Sequence, residues 1–181
     1  MDGEIIKTNI DGLIIRLNKV VGDERGVLCE IAPKGFEDEL FSAGIKNIYA
    51  SIPTKKGIAR GGHHHFRQIE NLYTLSGTLL WVFADMRETS QTRGEVFAVI
   101  VGWKKPDDAK GFSVYTIDEG KFAQIYLQPG IYHIFAPLTD EKTVVIDASS
   151  TPYDKSDYGY PELSSLPKVK EILDKFGVKQ I

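Results

Sequence analysis

The chain contains four histidines. Three stand together as His63, His64 and His65, and the fourth is His133. Side chains alternate along a β-strand, so His63 and His65 share one face and His64 points to the other. Glu70 follows five residues after His65. Imidazole titrates near neutrality, which suits it to removing a proton. Two imidazoles and a carboxylate, joined by His133, are also a donor set for a borderline divalent metal such as Zn, Fe, Mn, Ni or Cu. One place in the chain therefore offers two chemistries. His63, His65, Glu70 and His133 can be metal ligands, or His63 can be a free base.

The elements that must position these groups read as strands. Short apolar runs rich in β-branched and aromatic residues recur at Leu13–Leu17, Val27–Ile31, Ile45–Ile52, Ile69–Leu75 and Thr78–Ala84. They continue at Val96–Trp103, Phe112–Ile117, Phe122–Leu127, Tyr132–Pro137 and Thr143–Ala148. Ser76-Gly77, Asp118-Glu119-Gly120 and Pro129-Gly130 supply turns. About ten closely spaced strands predict an all-β sandwich or barrel. In Leu79–Ala84 both alternating sets are apolar, so that strand is expected to be covered on both faces, inside a barrel or at a subunit interface. Helices are expected at Phe36–Ser42 and from Ser165, where Pro167 falls in the first turn and Gly177 stops the chain. Leu166, Val169, Leu173 and Phe176 make one packing stripe on the second helix.

Composition narrows the function classes. The 181 residues carry a formal charge of −3, with no basic patch to hold nucleic acid. The lysines between Lys168 and Lys179 are interleaved with Glu171 and Asp174, as on a solvated helix face. A single cysteine, Cys29, forms no internal disulfide and reads as a small buried apolar residue. No apolar run reaches membrane-spanning length and no signal peptide is apparent, so the expected compartment is the cytoplasm. The chain is read as one domain over 1–181, with a barrel at about 13–149 and a helical tail at about 165–176.

The spacing around the histidines resembles that of cupins. Gly57, five residues, His63, one residue, His65, four residues, Glu70, six residues and Gly77 match the first cupin motif. Gly130, two residues and His133 resemble the end of the second, with Pro137 in place of its closing Asn. The resemblance implies a jelly-roll, double-stranded β-helix barrel with a short C-terminal α-helix, in which the three His and one Glu converge.

Further segments resemble the dTDP-4-dehydrorhamnose 3,5-epimerases. They are Asp23-Glu24-Arg25-Gly26, Gly57 to His63 with Arg60-Gly61, Asp85 to Thr92, and Pro129-Gly130 to His133. The resemblance implies that His63 is the base acting beside the ketone of a dTDP-4-keto-6-deoxy sugar, with no cofactor required. It implies that Arg25 and Arg60 contact the nucleotide diphosphate, to which guanidinium forks are suited. It also implies a homodimer, with which the doubly apolar strand is compatible. Asp85 and Arg87 also read as a structural pair bracing a turn. The chain departs from the family in several places. Asn71 stands where the family has a ketone-polarising Lys, which makes Asn71 a substrate-contacting candidate. Val145 or Ile146 stands near the family's catalytic Tyr. Ile48 and Ala50 replace a Gln and an Asn. Tyr158 to Pro161 and the tail helix replace a Trp-Asn-Asp segment whose Asp orients the base. If His63 were bound to a metal, the base would be another group: Tyr132, beside His133, or a metal-bound hydroxide. Two other functions remain open: a metal-dependent cupin isomerase or dioxygenase with another small substrate, and a non-catalytic sugar-binding module.

Overall fold

A computed structural model describes residues 4–31 and 39–180. Two sheets face one another. The first comprises β1 (Glu4–Lys7), β2 (Leu13–Asp23), β3 (Gly26–Cys29), β4 (Asn47–Ser51), β6 (Glu70–Ser76), β10 (Lys121–Leu127) and β12 (Val144–Ser149). Its order is β1-β2-β10-β6-β12-β4, with β3 paired to β2. The second comprises β5 (Arg60–His65), β7 (Thr78–Asp85), β8 (Val96–Gly102), β9 (Val114–Thr116), β11 (Ile131–Pro137) and β13 (Tyr158–Gly159). Its order is β13-β5-β11-β7-β8-β9. This is the expected all-β cupin barrel, and each of the ten apolar runs supplies a strand. The strands β1, β5 and β13 were not among those runs, since they are short, polar or glycine-rich.

Apolar side chains from both walls fill the barrel. Ile15, Leu72, Trp81, Phe83, Ile125, Phe135 and Val145 belong to one buried cluster. The outer face of the second sheet is covered from within the chain. Leu80, Val82, Ala84, Ile134 and Ala136 pack with Val169 and Leu173 of α2 (Pro167–Lys175). The doubly apolar strand Leu79–Ala84 is therefore buried between the barrel interior and the tail helix. It offers no surface to a second subunit, which removes it as support for a dimer. The expected stripe Leu166, Val169, Leu173 and Phe176 is the packing face of α2. The helix expected at Phe36–Ser42 is present as α1 (Glu39–Ala43), and residues 36–38 lie outside the described residues. No helix among the described residues is long and apolar enough to cross a membrane.

Candidate active site

Strand β5 delivers two of the histidines, and a bulge decides how. His63 pairs with His133, Gly61 with Ile134 and Arg60 with Phe135, so Gly62 is the extra residue. Gly61 and Gly62 have φ of +82° and +80°, a left-handed backbone that favours glycine. The bulge breaks the alternation and puts Arg60 on the same face as His63. On β11, His133 and Phe135 point into the barrel while Tyr132, Ile134 and Ala136 point to α2. The expected pair His63 and His133 thus meets inside, with ring centroids 4.5 Å apart. His65 completes the group at 5.0 Å from His63.

The opposite wall supplies carboxylates. Glu70, Leu72 and Thr74 of β6 face inward, and Glu70 is 1% exposed. Glu70 Oε1 lies 3.1 Å from His65 Nε2 and accepts from Gln68 Nε2 at 2.9 Å. Its Oε2 is 3.7 Å from His133 Nε2. Asp147 on β12 is paired with Leu72 on one side and Tyr49 of β4 on the other. The Tyr49 hydroxyl donates to Asp147 Oδ2 at 2.5 Å and lies 3.5 Å from Glu70 Oε1. The C-terminal tail closes the group. Strand β13 sets Tyr158 against His65 in register, and the Tyr158 ring is 4.9 Å from that of His63. Asp157 Oδ2 lies 3.3 Å from His65 Nδ1 and accepts from the Gln68 backbone amide. Arg67 holds Asp157 and Asp154 from outside.

The electrostatics divide the cluster into roles. Burial, with His133 beside it, lowers the His63 pKa to about 3, so this imidazole stays neutral. His63 hydrogen-bonds the Gly61 backbone, while its Nε2 is buried without a hydrogen-bond partner. That nitrogen is left with a lone pair directed into the site. Burial also lowers His133. For His65 burial acts in the same sense, but Glu70 and Asp157 outweigh it and raise the pKa. Burial raises Asp147, and the Glu70 charge raises it further. Two buried carboxylates this close do not both ionise, so Asp147 keeps the proton. Burial opposes the Glu70 charge, but His133 and His65 prevail and hold it well below the carboxylate range.

Several sequence expectations are corrected here. Asn71 lies on the outer face of the first sheet, where its Oδ1 accepts from Gln124 at 2.6 Å. Its neighbour Glu70 occupies the interior, because adjacent strand residues take opposite faces. Tyr132 is fully buried beneath α2, on the far side of β11 from His133, and is no base for this site. On β4 the inward residues are Asn47, Tyr49 and Ser51, not Ile48 and Ala50. His64 faces away from the barrel as expected, but it is half-buried against Gly159. Arg60 is exposed and donates to Ser51 Oγ at 2.9 Å, joining the rims of the two walls. Arg25 sits in the β2–β3 turn, paired with Asp23, and its side chain is 84% exposed. No described contact joins Arg25 to the histidines within the chain. Asp85 accepts from Arg87, Ser90 and Thr92 and braces the β7–β8 loop. Tyr49, Gln68, Asp147 and Asp157 are members of the cluster that sequence reasoning missed.

A divalent metal would take one nitrogen from each of His63, His65 and His133, which lie within 4.8 Å of one another. The hydrogen-bonding pattern does not fit one. His65 has a carboxylate oxygen 3.1 Å from Nε2 and another 3.3 Å from Nδ1, and these carboxylates raise its pKa against burial, which favours a proton over a ligand bond. Glu70, the fourth donor, is taken up by His65 and Gln68.

The model of the dTDP-4-dehydrorhamnose 3,5-epimerase family matches residues 7–162. The chain belongs to this family. Among curated proteins, nothing matches. Solved structures of similar fold include a Legionella pneumophila dTDP-6-deoxy-D-glucose-3,5-epimerase, RmlC, in complex with dTDP-4-keto-L-rhamnose. It is 23% identical with a TM-score of 0.71, over 99% of this chain and 88% of that one. NovW, a 4-keto-6-deoxy sugar epimerase from Streptomyces spheroides, is 19% identical with a TM-score of 0.70, over 88% and 74%. QdtA, a sugar 3,4-ketoisomerase from Thermoanaerobacterium thermosaccharolyticum in complex with TDP, is 18% identical with a TM-score of 0.59, over 90% and 97%.

Proposed function

We propose that this chain epimerises a dTDP-4-keto-6-deoxy sugar by removing a proton from the carbon beside the ketone. The observation that carries this reading is His63, a neutral imidazole with a buried, unpartnered Nε2 at the polar end of the barrel. A base that is already deprotonated can take the α-proton without first losing one of its own. Removal leaves an enolate, whose stabilisation is worth several kcal/mol and falls to hydrogen-bond donors fixed around it. Arg60, on the His63 face of β5, is suited to the diphosphate at the rim. The reaction needs no cofactor in this reading. We also infer a homodimer, supported by exposed apolar side chains on β3 and β4.

The test is incubation with dTDP-4-keto-6-deoxyglucose in deuterium oxide, followed by NMR. Deuterium is expected at C3 and C5 with wild type and at neither with His63→Asn. Binding of the nucleotide sugar without exchange by wild type would sink the epimerase reading and leave a sugar-binding module. The 4.8 Å grouping of three imidazoles favours a second reading, a metal-dependent isomerase or dioxygenase. It predicts stoichiometric metal in protein purified without a His-tag, lost in His65→Ala. The reading we favour predicts none.

A further inference from the structure

The site so far has a base on one wall and no assigned proton donor on the other. Inverting a carbon centre requires both, because the proton leaves one face of the enolate and a different proton arrives at the opposite face. Val145 faces inward on β12, and its side chain has no proton to give. The adjacent strand, β4, is paired with β12 so that Tyr49 stands beside Asp147 and Ser51 beside Val145. Tyr49 is half-buried, and its hydroxyl is in the polar cluster within 3.5 Å of Glu70. Glu70 in turn contacts His65 and His133, the two imidazoles that flank His63.

We propose that Tyr49 is the proton donor of the reaction, delivering its hydroxyl proton from the β4 wall to the carbon that His63 has deprotonated from the β5 wall. The proposal rests on the epimerase reading and assigns its second half. The step balances as follows. His63 Nε2 takes the α-proton, and the C–H electron pair moves into the enolate. The enolate carbon then takes the Tyr49 proton and the ketone re-forms. The phenolate left on Tyr49 takes the proton held by Asp147, 2.5 Å away, and Asp147 becomes a carboxylate. Burial, with the Glu70 carboxylate beside it, keeps the Tyr49 hydroxyl protonated while it waits. Solvent exchange returns a proton to Asp147 and removes one from His63.

Tyr49→Phe tests this by separating exchange from inversion in deuterium oxide. His63 in this variant can still remove the α-proton, exchange it with solvent and return deuterium to the same face. The expected result is deuterated but unepimerised keto sugar, with inversion slowed by about 10²–10⁴-fold, the range of general acid catalysis. Inversion at the wild-type rate would overturn the proposal, as would loss of exchange in a variant that keeps its wild-type melting temperature. If wild type itself exchanges nothing, the epimerase reading fails rather than the Tyr49 assignment. Should Tyr49→Phe fail to fold, fluorotyrosine at position 49 keeps the ring and lowers the phenol pKa. The ratio of inversion to exchange in deuterium oxide then departs from the wild-type ratio, and an unchanged ratio counts against Tyr49.

Discussion

His63 carries a specific pH signature, because its environment works against its charged form. Burial and the neighbouring His133 lower its pKa to about 3. A lowered pKa means the neutral, basic form persists as pH falls through the ordinary imidazole value and is lost only near the shifted one. A free imidazole with pKa about 6.5 would be only about 3% neutral at pH 5, a loss of roughly 30-fold in base. We therefore expect kcat/KM for epimerisation to stay level from pH 7 to about pH 5, measured by product NMR under substrate-limited conditions. An acidic limb centred near 6.5 would place the base elsewhere or show His63 to be solvated. His65 does not share this behaviour, since Glu70 and Asp157 on its two ring nitrogens raise its pKa despite burial. Two neighbouring inward imidazoles on one strand thus shift in opposite directions because of the carboxylates each one meets.

At the scale of elements, the β5 bulge sets the site. Arg60 is three positions from His63, and regular alternation in place of the bulge would put it on the opposite face. The two glycines that make the bulge are not equivalent. A Cβ at Gly61 would lie 2.8 Å from the His133 carbonyl oxygen, which is backbone of the paired strand. A Cβ at Gly62 would lie 2.7 Å from Gln180 Nε2, the end of a side chain that can turn aside. Both sites strain an L-residue by about 1–2 kcal/mol through their positive φ. Gly61→Ala is therefore expected to lower the melting temperature and the epimerisation rate clearly more than Gly62→Ala. Equal losses would argue against His133 as the fixed partner. The bulge also marks the limit of what the sequence discloses. Apolar runs located most strands, and motif spacing located His63 and His133. Alternation tells which residues share a face, but it does not tell which face is inside when both sets are mixed. On β6 that parity separates Glu70 from Asn71, and on β4 it separates Tyr49 from Ile48. Residue type alone settles neither. Asp147 on β12 and Asp157 in the turn just before β13 come from segments distant in sequence, and only the pairing of β12 with β6 and of β13 with β5 brings them to the histidines.

The whole molecule has one well-covered wall and one that is not. The second sheet is sealed by α2, whereas the first carries apolar side chains into solvent at both of its ends. Leu28 is 62% exposed on β3, and Val21 and Val27 beside it are also exposed. Ile48 is 62% exposed on β4, near the exposed Ile52. The inversion of β4, with polar residues inward and apolar ones outward, is economical only if something covers the outer side. A two-fold pair can place the β3 patch of one copy on the β4 patch of the other, and the symmetry then covers both patches twice. Arg25 lies in the hairpin turn between Val21 and Val27, so the same contact would set its guanidinium against a second copy. This ties assembly to substrate. We expect wild type to sediment at twice the chain mass and Leu28→Asp or Ile48→Asp to sediment as a monomer with an unchanged circular dichroism spectrum. If Arg25 contacts the nucleotide diphosphate across that boundary, the monomeric variants should also show a raised KM for the dTDP sugar, with a smaller change in kcat. Monomeric wild type would discard the dimer, and a monomeric variant with wild-type KM would return Arg25 to the role of a surface partner for Asp23.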